Sequence, residues 1–197
     1  MHKTVCIACS VFKPELTRLK EKGLIDFPVR YLNSALHMKP AVLHEHMSAL
    51  VDKERNHGHE VLLIYGDCQP HIVDITSKKG VTRVSGIHCV EILVGKKMYK
   101  KLINDRVFCL LPEWADRWRE LLFKLLDADP VTTVDIMKEI HRKLVYLDTG
   151  VYPIPHEKLK ACSQHFKLPY EVLRGNLDHL DKIIQVAKNK LNNPVNP

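Results

Sequence analysis

EVLLIYGDCQPH, residues 60–71, decides the fold. Its first seven residues are the most apolar run in the chain. Such a run suits a strand buried on both faces, as central parallel strands are. Gly66 and Asp67 turn the chain off that strand, and Pro70 opens an expected helix over residues 70–79 with Gly80 as its stop. Cys68 then stands at a strand end and a helix start, where backbone N–H groups and the helix dipole favour a thiolate. His71 lies one turn further on.

Two other segments end the same way. TVCIAC ends on Cys9, followed by Ser10, and TRVSGIH leads into Cys89. If the three segments are neighbouring parallel strands, their sulfurs emerge at one carboxyl edge, where open α/β sheets bind ligands. The rest of the chain alternates in the same manner. Strands are expected over residues 3–9, 27–32, 60–66, 82–86, 106–111, 143–148 and 169–173, with helices between them. Cys89 to Asn104 reads as one amphipathic helix, with Val90, Leu93, Val94, Met98 and Leu102 along one side. The fold class that follows is α/β, a three-layer sandwich around a mostly parallel, Rossmann-like central sheet of about seven strands. It forms a single domain over residues 1–191, and the Asn/Pro-rich end, 192–197, reads as a frayed tail.

The composition, with 45% hydrophobic and 27% charged residues, is that of a soluble globular chain. No apolar run reaches the roughly 18–20 residues of a membrane span. MHKTVCIACSVF reads as a first strand rather than a signal peptide, because its apolar part meets Lys13 and Pro14 at once. A cytoplasmic location is therefore expected. The six cysteines are too few for a disulfide scaffold of this length, which agrees with a reducing compartment. Cys6 and Cys9 have CxxC spacing, but alternation along a strand puts them on opposite faces, against a redox pair. The net charge of +7 is spread over lysine-rich helix faces without interleaved aromatics, which argues against nucleic acid as a partner. An anionic small-molecule ligand would use the same charge.

Cys9, Cys68 and Cys89 are the candidate metal ligands, with His71 as a fourth, since thiolate and imidazole suit zinc and iron. Cys6, Cys109 and Cys162 read as core. Cys68, His88 and Glu91 are the candidate catalytic residues. Glu91 equally suits a first-turn carboxylate serving the helix dipole. His88 and Cys89 point about 100° apart at a helix start, which makes them awkward joint ligands. Asp148 and Thr149, closing another strand at the same expected edge, are candidates for holding a phosphate, hydroxyl or cation of a cofactor; a plain turn uses the same residues. Trp114 and Trp118 read as helix–sheet packing. The chain has no GxGxxG, Walker, HExxH or GxSxG motif, which argues against the common nucleotide and hydrolase sites.

The segments IACSVFKPEL, YGDCQPH, IHCVEILVGKKMYKKL, LLPEWADRWRE and LVYLDTG, in that order, resemble the DUF1638 family of archaeal and bacterial proteins of unassigned function. The family's pattern has cysteines matching Cys9, Cys68 and Cys89; His88 and the Gln69-Pro70-His71 stretch depart from many members. The resemblance implies a link to one-carbon metabolism and to corrinoid-dependent methyltransferases, near which family members often occur. The leading expectation is a metal-centred enzyme or accessory enzyme. Its cofactor would be Zn2+, activating a bound thiol for methyl transfer, or a [4Fe–4S] cluster with one open iron, and its partner a small-molecule substrate or a corrinoid protein. One alternative is a non-catalytic binder or chaperone of a corrinoid or its carrier protein. Another is metal-free cysteine chemistry, with Cys68 facing Cys89 and His88 as partner.

Overall fold

The computed structural model describes residues 4–126 and 129–192, with the backbone alone at 123–126. The elements follow in the order β1 (Thr4–Cys9), α1 (Lys13–Glu21), β2 (Val29–Leu32), α2 (Pro40–Asn56), β3 (Glu60–Ile64), α3 (Ile72–Thr76), β4 (Val81–Arg83) and α4 (Cys89–Asn104). Then come β5 (Val107–Leu110), α5 (Pro112–Asp116), α6 (Trp118–Leu126), α7 (Pro130–Ile140), β6 (Lys143–Asp148), α8 (His156–Phe166), β7 (Tyr170–Arg174) and α9 (Asp178–Asn192). Short 3-10 turns lie at Ser10–Phe12 and Ser34–Met38. No described helix is long and apolar enough to cross a membrane.

The strands pair in parallel, as the alternation of strand and helix predicts, but they do not form one sheet of about seven strands. One sheet has the order β2-β1-β3-β4, and β5-β6-β7 form a second. The α/β class and the parallel pairing stand, and the single central sheet is corrected to two. Hydrophobic pattern specifies that a segment is a strand and how deeply it is buried. It does not specify the lateral partner, and β4, three residues long, pairs with β3 alone. The chain divides into two compact units. The first takes the residues up to Gly95 and those from Leu177 onward; the second is Lys96–Asn176. The tail expected from 192 lies, beyond Asn192, outside the described residues.

In the first unit, β1 and β3 are the inner strands. Val5 to Ala8 and Val61 to Ile64 have no solvent exposure, as strands covered on both faces should. Helices α2 and α9 pack on β3, and α9 also on β4. The inward face of α2 carries Leu43, Met47 and Val51 at four-residue spacing. The second unit has its own core, in which Trp118, Leu144, Tyr146, Leu159, Cys162 and Phe166 are buried. The core reading of Cys162 and the packing reading of Trp118 hold there, while Cys109 in β5 is half-buried.

Two expected helices differ from their sequence reading. The helix at Pro70 begins only at Ile72, because the Gln69 side chain accepts the His71 N–H and holds the intervening residues in a turn. α4 is broken at Gly95, whose φ of 80° and ψ of 160° belong to a region open essentially to glycine alone. A Cβ there would also come within 3.2 Å of the His179 ring. The apolar periodicity on both sides of Gly95 hid this break.

Glu54, near the end of α2, is buried and ties three elements together. It accepts from Arg30 Nε of β2 at 3.2 Å and meets His59 Nδ1, just before β3, at 2.9 Å. Burial pushes its pKa up, but the hydrogen bonds from Arg30 and His59 outweigh this and hold it below the ordinary value. A carboxylate with a depressed folded-state pKa adds stability above its unfolded pKa of about 4.3, lost as pH falls through the folded value. Glu54→Gln should therefore lower stability near neutrality by about 1.5–3 kcal/mol, the range for hydrogen bonds to a charged group. The deficit should shrink below about pH 4. Denaturant midpoints of both proteins across pH measure this; a deficit that stays constant with pH would remove the charge from the explanation.

Candidate functional site

The strand order of the first sheet places the site. From β1 the chain passes to β2 on one side, and β3 then adds on the other, so the direction of winding reverses between β1 and β3. Crevices at such a switch point, beyond the carboxyl ends of the strands, are where doubly wound sheets bind ligands. Cys9 is the last residue of β1. Cys68 lies four residues beyond β3, and Cys89 opens α4 after the loop that leaves β4. The three cysteines thus leave three consecutive neighbours of one sheet at its carboxyl edge.

The two loops that carry Cys68 and Cys89 are pressed together. Asp67 N–H donates to the Ile87 carbonyl at 2.8 Å. At Gly66 a Cβ would lie 2.6 Å from that same oxygen, so only glycine fits the approach. Cys89 feels the charge of both Cys9 and Cys68, and the buried Tyr65 hydroxyl is coupled to the same two thiols. Burial pushes the Cys89 thiol well up, and Cys9 and Cys68 add to the rise; the backbone N–H groups of Val90 and Cys89 offset it only in part. Burial also raises Cys68, against a backbone hydrogen bond at Gly66 and the Arg83 charge, which lower it. The thiolate expected at Cys68 from a helix start is therefore corrected: α3 begins four residues later and the thiol is raised.

The other candidates have local partners. His88 Nδ1 accepts the Val90 N–H at 3.2 Å and lies 3.7 Å from Cys89 Sγ. Burial and the nearby His37 lower its pKa, against the opposing pull of Glu91. Glu91 accepts the Ile87 N–H at 3.2 Å, the cap of a first-turn carboxylate. His71 is 62% exposed, meets Asp74 Oδ2 at 3.4 Å, and its ring lies 5.4 Å from that of His44; no thiol contacts it among the described residues. Asp148 ends β6 of the second sheet, and its side chain accepts the Gly150 N–H at 2.9 Å as in a plain turn. Asp148 and Thr149 therefore belong to the edge of a different sheet, which corrects the expectation of one shared edge.

Among the described residues no three His, Cys, Asp or Glu side chains are already gathered as metal ligands. Cys9, Cys68 and Cys89 are electrostatic neighbours rather than a closed ligand set. Their chemistry still suits a cation. Each thiolate raises the pKa of its neighbours, and a metal ion is what makes several thiolates compatible in one buried place. A cleft of about 480 Å³ opens beside Cys68, with Asp67, Gln69 and Arg83 in its wall. Arg83 pairs with Asp67. Sequence reasoning passed over Tyr65, Gln69 and Arg83. Only their positions beside the cysteines pointed to them, and Arg83 reads from sequence as an ordinary strand residue.

A family model described as a protein of unknown function (DUF1638) matches residues 31–184. No curated protein and no solved structure matches the chain.

Two outcomes follow from this geometry. In metal-free protein, alkylation of Cys68 and Cys89 should accelerate with a midpoint above the free-thiol pKa of about 8.5. Cys68 should react faster than Cys109, whose thiol burial pushes up to about 12. Mass spectrometry of labelled peptides across pH reads both, and a Cys68 midpoint below the free value would contradict the desolvated setting. Gly66→Ala should cost about 1–3 kcal/mol through overpacking. It should also change the labelling of Cys68 and Cys89 together while leaving Cys162 unaltered, because it forces their two loops apart.

Proposed function

The chain belongs to the DUF1638 family, and we propose that it is a metal-centred enzyme or accessory enzyme of one-carbon metabolism, with Cys9, Cys68 and Cys89 holding a zinc ion or an iron–sulfur cluster. The observation that carries this reading is the electrostatic proximity of three thiols that follow three adjacent strands at the carboxyl edge of the first sheet. Zinc with three thiolates keeps a fourth position for a substrate, and a cluster held by three cysteines keeps one iron open. The chemistry such a centre supplies is stabilisation of a substrate thiolate, the form that accepts a methyl group.

The roles of the chain's own residues follow from their contacts. Cys9 is fixed by the end of the β1 ladder, while Cys68 and Cys89 ride on the two loops joined at Asp67 and Ile87. Holding one ion with all three sulfurs would require those loops to move, since the three are not gathered as ligands among the described residues. His88 and Glu91 hold the start of α4 through the Val90 and Ile87 N–H groups, and so position Cys89. The 3.7 Å approach of His88 Nδ1 to Cys89 Sγ favours metal-free thiol–imidazole chemistry as the second reading. Against it, burial lifts the thiol and lowers the imidazole, the opposite of what a thiolate–imidazolium pair requires.

Metal analysis of anaerobically purified protein tests the proposal. About one zinc ion or one cluster per chain is expected. Cys68→Ser and Cys89→Ser should abolish it, while Cys109→Ser and Cys162→Ser should keep it. Metal retained in the first two variants, or no uptake of zinc and no cluster on reconstitution of the folded wild type, would sink the metal reading.

A further inference from the structure

We propose that Tyr65 is a positioning residue of the cysteine site: its hydroxyl donates a hydrogen bond to the Cys9 sulfur once that sulfur is a thiolate, and so makes Cys9 the anchoring ligand. The part played in ligation rests on the metal centre proposed above; the meeting of hydroxyl and sulfur rests on the ladder between β1 and β3 and on the burial of both groups.

Register brings the two side chains together. β1 and β3 run parallel with Ala8 opposite Ile64, so Cys9 and Tyr65 leave the ladder at the same height. Tyr65 is 2% exposed and Cys9 9%. The phenolic oxygen is closed to solvent and has no oxygen or nitrogen partner among the described residues. What it meets is the Cys9 thiol, and it feels the charge of Cys68 as well. A buried tyrosine ordinarily finds a partner for its O–H. A protonated thiol is a weak acceptor and serves that donor poorly. A thiolate is an ionised acceptor, and bonds to such groups are roughly twice as strong as neutral ones. A phenol, with an ordinary pKa of about 10, stays protonated at neutral pH and can make that bond.

The other two sulfurs have donors of their own. Cys68 has a backbone hydrogen bond at Gly66 and the charge of Arg83, and Cys89 has the N–H groups of Val90 and of its own residue. At Cys9 the chain passes from β1 into the short turn Ser10–Phe12, and the Tyr65 hydroxyl reaches its sulfur from the neighbouring strand. Cys9 is also the one thiol held by a ladder, where it pairs with Leu32 of β2. Cys68 and Cys89 ride on loops that must move to share one ion with it. Hydrogen-bond partners of metal ligands fix the ligand's orientation and tune its donor strength. A sulfur fixed in place and held by a buried donor is the point about which the two loops would close.

The test compares the full wild-type chain with Tyr65→Phe, metal-free and with zinc or cobalt(II) added. Zinc affinity, read by competition with a chelator, should fall about 10–100-fold in the variant. The metal-free variant should keep the wild-type denaturant midpoint or exceed it, because it loses only a poorly served hydroxyl. The rise in midpoint on adding zinc should be smaller. With cobalt(II), the sulfur-to-metal charge-transfer band should move to longer wavelength in Tyr65→Phe, since a hydrogen bond lowers the energy of the sulfur lone pairs. 3-Fluorotyrosine at position 65, a stronger donor of nearly the same shape, should move the band the other way, and keeps the proposal testable if the phenylalanine variant does not fold. If the centre is a cluster, its reduction potential should fall in Tyr65→Phe, because hydrogen bonds to the sulfurs help set it. Wild-type metal affinity with an unmoved band or potential, or a metal-free stability loss as large as the zinc-bound one, would overturn the assignment of Tyr65 and leave the metal centre standing. Failure of the wild type to take up either zinc or a cluster would refute the metal centre, and the role of Tyr65 with it.

Discussion

Parallel pairing is the constraint on which the site depends. Every strand of the first sheet runs the same way, so every strand exit in it opens at one edge. The register sets the heights of the exits. Ala8 pairs with Ile64, so one step further Cys9 is level with Tyr65, which is why that hydroxyl is buried beside a thiol. Leu63 pairs with Arg83, which brings a guanidinium from the outer strand to the mouth of the loop carrying Cys68. Neither neighbour is near in sequence; each follows from the ladder.

Thiols at such an edge are in an unfavourable place to ionise. Burial raises Cys68 and Cys89, and each thiolate formed would raise the next. The compensation the protein supplies is small: N–H groups at the start of α4, one hydrogen bond at Gly66, and the charge of Arg83, itself shared with Asp67. The net direction remains upward. Chemistry that needs sulfur anions there needs a positive charge to arrive, and a metal ion brings it while releasing the protons. The paired loops, held at Asp67 and Ile87, would bring two of the three sulfurs to that charge as one piece.

Much of this frame was legible in the sequence. The apolar run 60–66 ends in Gly66 and Asp67, and the same succession of strand, turn and cysteine recurs at Cys9 and Cys89, so the edge could be read from local pattern alone. What local pattern does not carry is lateral pairing. The strand at 107–110 looks like any other, yet it pairs with β6 in a separate sheet, and Asp148 goes with it. The start of α3 was misjudged for a different reason. Pro70 is a sound first-turn residue, but a side chain competed for the His71 N–H, and the helix waited until Ile72. The left-handed Gly95 sat inside a periodic apolar face, where a glycine gives no sign of its φ.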